Sequence, residues 1–272
     1  NILSISAALI SFFKYNENVY IYKQSDIPEI FELFWILSCY TAKGLLNRCH
    51  AYHSKVQENL DKFKDPDKSI FNGLYNYPVL MAADILCLNP DYVPIGKDQK
   101  QHIEIAKDIV RKINYVYKKE ILKQPNGLVL SLGEVPGTDN RKMSKSYKNT
   151  VPIFSSNKKL KKSIFSFITN CKEDGERKYR NESPLIKFFE MIVKDDNVQK
   201  ELDDILYYGK SWGTIKHFIY NNITEIFKDK RDEYNRLLDN PEEIETLLAL
   251  NSNIVRKQVR NNINKIKKEM GF

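Results

Sequence analysis

The sequence predicts an α/β fold with a parallel sheet, followed by a region built of helices alone. Two segments contain Val, Tyr and Ile in the manner of strands, NVYIYKQ (18–24) and DYVPIG (91–96), and each is followed by a helical pattern. Strands that alternate with helices favour a parallel sheet. After residue 157 the apolar spacing is helical and strand signals are few. We therefore predict two domains, residues 1–156 and residues 157–272.

Each predicted element depends on a local pattern. Ser25 and Asp26 offer N-cap side chains, and Pro28 suits the first turn of the helix that follows. The polar stretch 54–72 is predicted as a loop, and Trp35 and Trp212 are interpreted as packing residues. In chain order, the predicted helices cover residues 4–14, 29–47, 77–88, 98–114, 158–170, 184–195, 198–208, 213–227, 228–239 and 241–270.

The composition is that of a folded protein with a modest excess of positive charge. The chain has 272 residues, of which 42% are hydrophobic, so a packed core is expected. Lysine and arginine number 43 against 35 acidic residues, and the net charge of +8 favours an anionic partner such as a nucleotide or RNA. A Lys- and Asn-rich chain from an AT-rich genome would show the same excess, so charge alone does not decide.

The cysteine pattern and hydropathy exclude several classes of protein. The four cysteines show no C-x-x-C spacing, so we expect reduced thiols without disulfides or structural zinc, as in the cytosol or an organelle matrix. His50 and His53 have no acidic residue nearby, and we assign no metal ligands. No apolar run is long enough to span a bilayer, and the apolar segment 5–13 lacks the features of a signal peptide. We therefore expect no membrane partner.

An acidic residue lies in an otherwise apolar helix, YPVLMAADIL (77–86). Tyr77, Met81 and Asp84 follow at i, i+4 and i+7, which places them on one face. An unpaired carboxylate is unfavourable there, so Asp84 requires a hydrogen-bond donor. A backbone amide or an arginine would make Asp84 structural, as is commoner for a single buried aspartate. A ligand donor would make it functional, and an indole N–H, which only donates, fits such a site.

A strand end, a glycine and a helix start follow one another at PIGKDQKQH (94–102). In open parallel sheets the ligand crevice lies at the carboxyl ends of the strands. Gly96 would let a flat base approach the backbone closely. Asp98 could accept hydrogen bonds from ribose hydroxyls, and Gln99 could reach the ammonium or carboxylate group of a ligand. An ordinary N-cap is the competing explanation for Asp98.

Two lysines lie three residues apart in RKMSKS (141–146), directly after a run of turn-forming residues. Lysine is a compact point charge suited to non-directional phosphate binding. On a hinged loop, Lys142 and Lys145 could follow the phosphates as charge moves onto a leaving pyrophosphate, which stabilises a transition state. A solvated, charge-rich loop is the alternative.

The three motifs in this order resemble a known family. KMSKS (142–146) is the signature loop of class I aminoacyl-tRNA synthetases, and YPVLMAADIL with VPIGKDQKQHIEIAKDI is similar to the bacterial-type tryptophanyl-tRNA synthetases. The resemblance extends from the first helix to the final KKEMGF. It implies a Rossmann-like catalytic domain that ends with the KMSKS loop, over residues 1–156, and a helical domain with C-terminal helices that recognises the tRNA anticodon, over residues 157–272.

The resemblance also implies a reaction and its partners. The carboxylate of L-tryptophan attacks the α-phosphate of ATP, which gives tryptophanyl-adenylate and pyrophosphate, and tRNA(Trp) then accepts the aminoacyl group during translation. ATP brings Mg²⁺, which is held mainly through the phosphates. Family members are homodimers, and the interface is expected near residues 29–55. The expected compartment is the cytoplasm, or else an organelle matrix.

Roles for individual residues follow from the same resemblance. Asp84 corresponds to the acceptor of the indole N–H, and Met81 to the wall that packs on the indole. Tyr77 and Gln99 correspond to residues near the ammonium group of the amino acid. The catalytic pair is Lys142 and Lys145. The ATP site comprises an adenosine-contacting turn, the phosphate loop and one further lysine, namely Gly96, Lys97, Asp98, Lys142, Met143, Ser144, Lys145, Ser146 and Lys55.

One family motif is not found in the sequence. Class I synthetases carry an H-I-G-H-type motif near the start of the Rossmann fold, and none of the four histidines here lies in one. We expect the fold to be incomplete at its N-terminus, because the given sequence is truncated or because the gene product lacks the motif. Truncation is favoured, since the other motifs keep their chemistry. The chain by itself is expected to activate tryptophan poorly or not at all.

Two other functions compete with this one. A tyrosine-specific class I synthetase has similar motifs, and the amino acid that drives pyrophosphate exchange separates the two enzymes. An inactive tRNA-binding remnant would bind RNA in a salt-dependent manner without forming an adenylate. A Rossmann dehydrogenase is disfavoured, since the chain has no G-x-G-x-x-G.

Overall fold

The computed structural model describes residues 2–13, 16–129 and 133–271. It divides into two compact units, a first unit of Asn1–Val19 with Ser131–Ile244 and a second unit of Tyr20–Leu130 with Glu245–Phe272. This division follows compactness, and it differs from the predicted domain boundary after residue 156. The assignment of catalytic and anticodon-recognition domains to sequence ranges therefore stays a prediction.

Helices dominate the described residues. The helix predicted over 29–47 is split in two, and the six helices predicted beyond residue 157 are present. The elements are α1 Ile2–Phe13, α2 Glu29–Tyr40, α3 Lys43–Leu46, α4 His50–Asp61, α5 Asn72–Leu86, β1 Tyr92–Ile95, α6 Lys100–Tyr117, β2 Asn126–Val129, α7 Asn157–Phe165, α8 Pro184–Ile192, α9 Asp196–Tyr207, α10 Trp212–Ile226, α11 Lys228–Asp239 and α12 Pro241–Met270, with 3₁₀ turns at Gln24–Asp26, Lys97–Gln99 and Arg180–Glu182.

The second unit contains a small parallel sheet. Strands β1 and β2 pair in parallel, with Tyr92 opposite Asn126 and Ile95 opposite Val129. Helix α6 connects the two strands, as a parallel pair requires a crossover. The predicted combination of a parallel sheet with crossover and C-terminal helices is confirmed.

Helix α12 completes the core of the second unit. Its Val255, Val259 and Ile263 recur one turn apart and are buried together with apolar residues of α2, α5 and α6. The Arg256 guanidinium donates to both oxygens of the Glu29 carboxylate at 2.9 and 3.0 Å. Burial along one stripe and charge pairing beside it fix the register of α12 against α2.

The segment predicted as a strand over 18–24 pairs with no strand in the part of the chain that the structure describes. Lys23 keeps an extended backbone (φ −90°, ψ 130°) and leads into the 3₁₀ turn. The Ile21 carbonyl accepts a hydrogen bond from the Asn251 amide of α12 at 3.1 Å. Val and Tyr favour a strand where a pleated neighbour is present, and here the neighbour is a helix. This strand prediction is wrong.

The prediction of a loop over 54–72 is also wrong for the first part of that range, because α4 continues to Asp61. Asn59 is buried near the end of this helix, and its amide donates to the carbonyls of Pro66 and Lys68 at 2.9 and 2.8 Å. The helix is stabilised by this anchor and has little of the apolar stripe that sequence analysis looks for.

The first unit is helical in the described residues. Helices α7 to α10 share a core that includes Leu160, Phe189 and Ile215, and α1 packs along α11. Four of the helices begin directly after a residue whose side chain accepts from a backbone N–H of the first turn, which explains their N-terminal boundaries. These caps are Ser156, Ser183, Asp195 and Ser211.

The two tryptophans differ in environment. Trp212 is buried, and its indole N–H donates to Asn170 at 2.8 Å, which confirms its interpretation as a packing residue. Trp35 is 69% exposed on α2, so the same interpretation is wrong for it. Among the described residues, no helix combines the length and the apolar character that crossing a membrane would require.

Candidate active site

The predicted site residues fall into two groups. Those for the amino acid and the adenosine lie in the second unit, on α5 and on the turn between β1 and α6, and Lys55 lies on α4 of the same unit. The phosphate loop, residues 142–146, lies in the first unit. The geometry of each group is given separately.

Asp84 is half-buried on α5, and its donor lies within the chain. The side-chain amide nitrogen of Gln24 donates to both carboxylate oxygens, at 2.7 and 2.8 Å. Burial raises the pKa of Asp84 above its ordinary value, and the hydrogen bond from Gln24 opposes that rise. The donor that the sequence argument requires is thus a neutral amide, and Asp84 keeps its charge unneutralised by this contact.

The groups beside Asp84 carry no compensating charge. Burial raises the pKa of the Cys87 thiol to about 12, and burial together with Cys87 and Asp84 raises the pKa of Tyr22. The Cys87 thiol donates to the Asp84 carbonyl at 3.2 Å. Both groups are neutral at physiological pH. Neither group therefore neutralises the Asp84 carboxylate.

A chain of hydrogen bonds links the α5 residues to the turn after β1. The Tyr77 hydroxyl lies 3.1 Å from Nε2 of His102, and Nδ1 of His102 lies 2.8 Å from Oε1 of Gln99. The amide nitrogen of Gln99 donates to the Asp98 carboxylate at 2.8 Å. The structure therefore brings together two residues predicted for the amino acid, Tyr77 and Gln99, and one predicted for the ribose, Asp98.

The donor and acceptor roles along this series of hydrogen bonds follow from the Asp98 end. Since the Gln99 amide nitrogen faces Asp98, its carbonyl oxygen faces His102 and accepts the proton on Nδ1. Nε2 is then the acceptor for the Tyr77 hydroxyl. Burial lowers the pKa of His102, so the imidazole is neutral at pH 7, as this arrangement requires.

The Asp98 carboxylate approaches the backbone of Gly96 closely. A Cβ atom at Gly96 would lie 2.6 Å from Oδ1 of Asp98, so a larger residue would turn that carboxylate away. Asp98 lies inside the 3₁₀ turn Lys97–Gln99, and the N-cap positions of that turn and of α6 are Gly96 and Gln99. The N-cap explanation of Asp98 is therefore not the geometry found, and Lys97 lies exposed on the same turn.

Lys55 is engaged on its own helix. Its ammonium group lies 2.8 Å from the Glu58 carboxylate, which also binds Lys62 at 2.6 Å. Hydrogen bonds from these two lysines lower the pKa of Glu58 to about 2. A phosphate role for Lys55 would exchange this exposed ion pair for the ligand, and that role stays a prediction.

The phosphate loop is built around the buried side chain of Asn149. Its amide nitrogen donates to Asp139 at 2.7 Å and to the Lys142 carbonyl at 3.1 Å, and its oxygen accepts from the Ser144 amide at 2.8 Å. The hydrogen bond from Asn149 is the main cause that lowers the pKa of Asp139 to about 2. A Cβ atom at Gly137 would lie 2.1 Å from the Asn149 nitrogen, which explains the glycine there.

The lysines of the loop project from this fixed backbone. Both are exposed, and the Lys142 ammonium lies 3.7 Å from Glu134. Lys145 forms no ion pair within the described residues. The Ser144 and Ser146 hydroxyls lie 2.8 Å apart, and Met143 packs against the core of the first unit. The loop thus presents two exposed cations on an ordered turn.

Three residues of this geometry were missed by the sequence analysis. Gln24 lies in the segment that was predicted as a strand, 60 residues from Asp84, and no local pattern pairs the two. His102 belongs to the D-Q-K-Q-H motif and could have been found there. Asn149 follows the phosphate loop, and the run of turn-forming residues before that loop was a usable signal.

Comparisons with known proteins identify the family of this chain. The model of the family described as tRNA synthetases class I (W and Y) matches residues 1–228. A tryptophan–tRNA ligase of Neisseria meningitidis is 40% identical over 257 residues, which are 94% of this chain and 76% of that protein. One of Pseudomonas syringae is 39% identical over 94% of this chain and 58% of that protein.

A solved structure is similar over almost the whole chain. Tryptophanyl-tRNA synthetase from Campylobacter jejuni, complexed with ADP and tryptophan, has a TM-score of 0.86 at 38% identity and covers 99% of this chain and 82% of that one. The predicted resemblance and the predicted fold class are confirmed by these matches. The chain therefore belongs to the class I tRNA synthetases of the tryptophan and tyrosine (W and Y) family.

Proposed function

We propose that the protein is a tryptophan–tRNA ligase. It activates L-tryptophan with ATP, releases pyrophosphate and transfers the tryptophanyl group to tRNA(Trp). The observation that carries this proposal is the half-buried Asp84 carboxylate, which is bound by a neutral amide and left without a compensating cation at that contact. Such an acceptor suits an amino acid whose ring carries an N–H donor. The tryptophan–tRNA ligases among the relatives support the same choice.

The site residues divide the reaction between them. Met81 and Tyr77 share the α5 face with Asp84 and pack on and orient the amino acid, while Gln99 approaches its ammonium group. The turn of Gly96, Lys97 and Asp98 contacts the adenosine. Lys142 and Lys145 stabilise charge on the departing pyrophosphate, with Met143, Ser144 and Ser146 completing the loop and Lys55 as a further phosphate contact. Mg²⁺ enters with ATP and is held by its phosphates. Translation places the enzyme in the cytoplasm or an organelle matrix.

Pyrophosphate exchange tests the proposed activity. In protein expressed from the complete reading frame, tryptophan is expected to drive exchange of pyrophosphate into ATP, and tRNA(Trp) to become charged. Exchange driven by tyrosine alone would establish the rival synthetase. Salt-dependent RNA binding without exchange by any amino acid would instead establish a tRNA-binding remnant.

A homodimer is part of the proposal. On α2, Phe31 and Trp35 are exposed one turn apart, which is an unusual amount of aromatic surface for one helix face in water. A second copy of the chain would bury this face, within the segment 29–55 that the resemblance indicates. Sedimentation over a range of protein concentrations measures the assembly, and a monomer throughout would exclude it.

A surface in the first unit supports tRNA recognition by the helical region. Tyr179, Tyr207 and Tyr208 are exposed together, and we call them the tyrosine platform. The Arg177 guanidinium lies 5.3 Å from the ring of Tyr179 and 4.7 Å from that of Tyr207, and the Lys172 ammonium lies 4.7 Å from Tyr179. Exposed aromatic rings among cations are the features on which unstacked bases bind.

The loop below the tyrosine platform is fixed from inside. Lys178 is buried, and its ammonium group donates to the carbonyls of Glu173, Glu176 and Gly209 at 2.7, 3.0 and 3.0 Å. An ammonium group has three protons, and all three are satisfied. The platform is therefore presented by an ordered loop, which reduces the entropy lost when RNA binds.

Removal of a platform ring is expected to weaken tRNA use alone. Stacking of one base on an aromatic ring contributes about 1–3 kcal/mol, so Tyr207→Ala should raise the KM for tRNA(Trp) in charging by about tenfold. Pyrophosphate exchange should be unchanged. Tyr115→Ala, which removes an exposed tyrosine from α6, is the control. An unaltered KM for tRNA in Tyr207→Ala would contradict the platform's role.

A further inference from the structure

Gln24 binds Asp84 in a way that leaves part of the carboxylate available. One nitrogen lies 2.7 Å from Oδ1 and 2.8 Å from Oδ2, so it occupies one lone-pair direction of each oxygen. A carboxylate offers about four such directions. The remaining ones can accept from a ligand while Gln24 stays in place.

The turn that carries Gln24 is held by α12. On either side of Gln24, the Lys23 ammonium pairs with Glu245 at 2.7 Å, and the Asp26 carboxylate accepts from the Ser252 hydroxyl at 3.0 Å. Three residues earlier, the Ile21 carbonyl accepts from α12 as described above. The backbone of the turn is thus fixed on both sides, although the Gln24 side chain is itself exposed.

A neutral donor has a specific advantage at this position. An arginine would neutralise Asp84 and satisfy both oxygens in a bidentate pair, which would leave a ring N–H little to gain. With no donor, the half-buried carboxylate would turn or take up a proton, and a carboxylic acid is a poorer acceptor. An amide orients the group and preserves its charge.

We propose that Gln24 is a positioning residue for amino-acid selection: its amide, carried by a turn whose backbone α12 holds in place, fixes the Asp84 carboxylate so that one oxygen remains available to the ring N–H of tryptophan. This inference deepens the proposed function and rests on it. Gln24 does not contact the reacting atoms. It acts through Asp84.

The test compares two ligands that differ in one hydrogen-bond donor. Calorimetry on the full chain measures the affinity for L-tryptophan and for its benzothiophene analogue, in which sulfur replaces the ring N–H. The variants are Gln24→Ala and Gln24→Met, the second of which keeps the side-chain length without the donor. Gln57→Ala is the control, because Gln57 makes a 2.8 Å contact with Asp61 of the same amide–carboxylate type on α4.

The preference for tryptophan over the analogue is the decisive quantity. We expect the ratio of the two affinities to fall about tenfold in both Gln24 variants, since a hydrogen bond to a charged group contributes about that much. The control should keep the wild-type ratio. A general loosening of the site would weaken both ligands equally and leave the ratio intact. That result, or tighter tryptophan binding in the variants, would overturn the inference.

The pH profile provides a second readout. Tryptophan binding needs the ionised carboxylate, so it should decline as pH falls through the pKa of Asp84, and this decline should begin at higher pH in the Gln24 variants. Tyr22 and Cys87, the titratable neighbours of Asp84, stay neutral over this range. An identical profile in wild type and variants would count against the inference.

Wild-type protein that binds neither ligand would overturn the proposed function as well, whereas selectivity retained in both variants would overturn the inference alone.

Discussion

Asp84→Ala is expected to remove most of the enzyme's preference for tryptophan over phenylalanine. Phenylalanine has no ring donor and would leave the ligand-facing lone pairs of the wild-type carboxylate without a hydrogen bond, since Gln24 occupies only part of the group. Sites that require a hydrogen bond reject analogues that lack it by roughly 10⁴–10⁵-fold. The ratio of kcat/KM for the two amino acids in pyrophosphate exchange measures the loss, and turnover with tryptophan should also fall.

Thermal unfolding separates this effect from damage to the fold. Because burial raises the pKa of Asp84, its charge disfavours the folded state at neutral pH, and this cost is absent below its unfolded pKa. Asp84→Ala should therefore unfold at the same temperature as wild type or higher at pH 7. Asp61→Ala, on an exposed part of α4, is a control that should keep full selectivity. Unchanged activation of tryptophan by Asp84→Ala would refute the assignment.

The sequence predicts the candidate residues of this site more fully than it predicts the contacts among them. Asp84 could be predicted because a charged residue is unfavourable in an otherwise apolar helix. The turn at 96–99 could be predicted because a glycine follows the end of a strand. The structure places both where hydrogen bonds join them to further groups. Gln24 could not be found in this way, because its partner is 60 residues away and neither residue signals the other.

The errors in the predicted secondary structure also arise from contacts that the local sequence pattern does not show. The 18–24 segment has the residues of a strand, but its neighbour is α12, which comes from the other end of the chain. Helix α4 lacks an apolar stripe and is anchored by one buried amide, that of Asn59. In both cases a tertiary contact outweighs local propensity. The helices beyond residue 157 were predictable, because strong periodicity and capping residues agree there.

Lys142→Ala and Lys145→Ala are expected to lower turnover more than they raise the KM for ATP. If the ammonium groups stabilise charge as it moves onto pyrophosphate, their contribution is larger in the transition state than in the bound substrate, and kcat should fall by about 10²–10³-fold for each. The loop backbone should survive, because Asn149 holds it through contacts that involve neither lysine side chain.

Lys148→Ala is the matched control for this pair. Lys148 is an exposed cation two residues beyond the motif, in a left-handed conformation (φ 54°) that alanine tolerates as well as lysine does. The Lys148→Ala substitution should leave kcat nearly unchanged, although it removes one positive charge, as each of the other two variants does. Single-turnover formation of tryptophanyl-adenylate isolates the chemical step from product release. If Lys142→Ala and Lys145→Ala raise the KM for ATP and leave this step intact, the lysines bind the nucleotide in its ground state and the transition-state role is wrong.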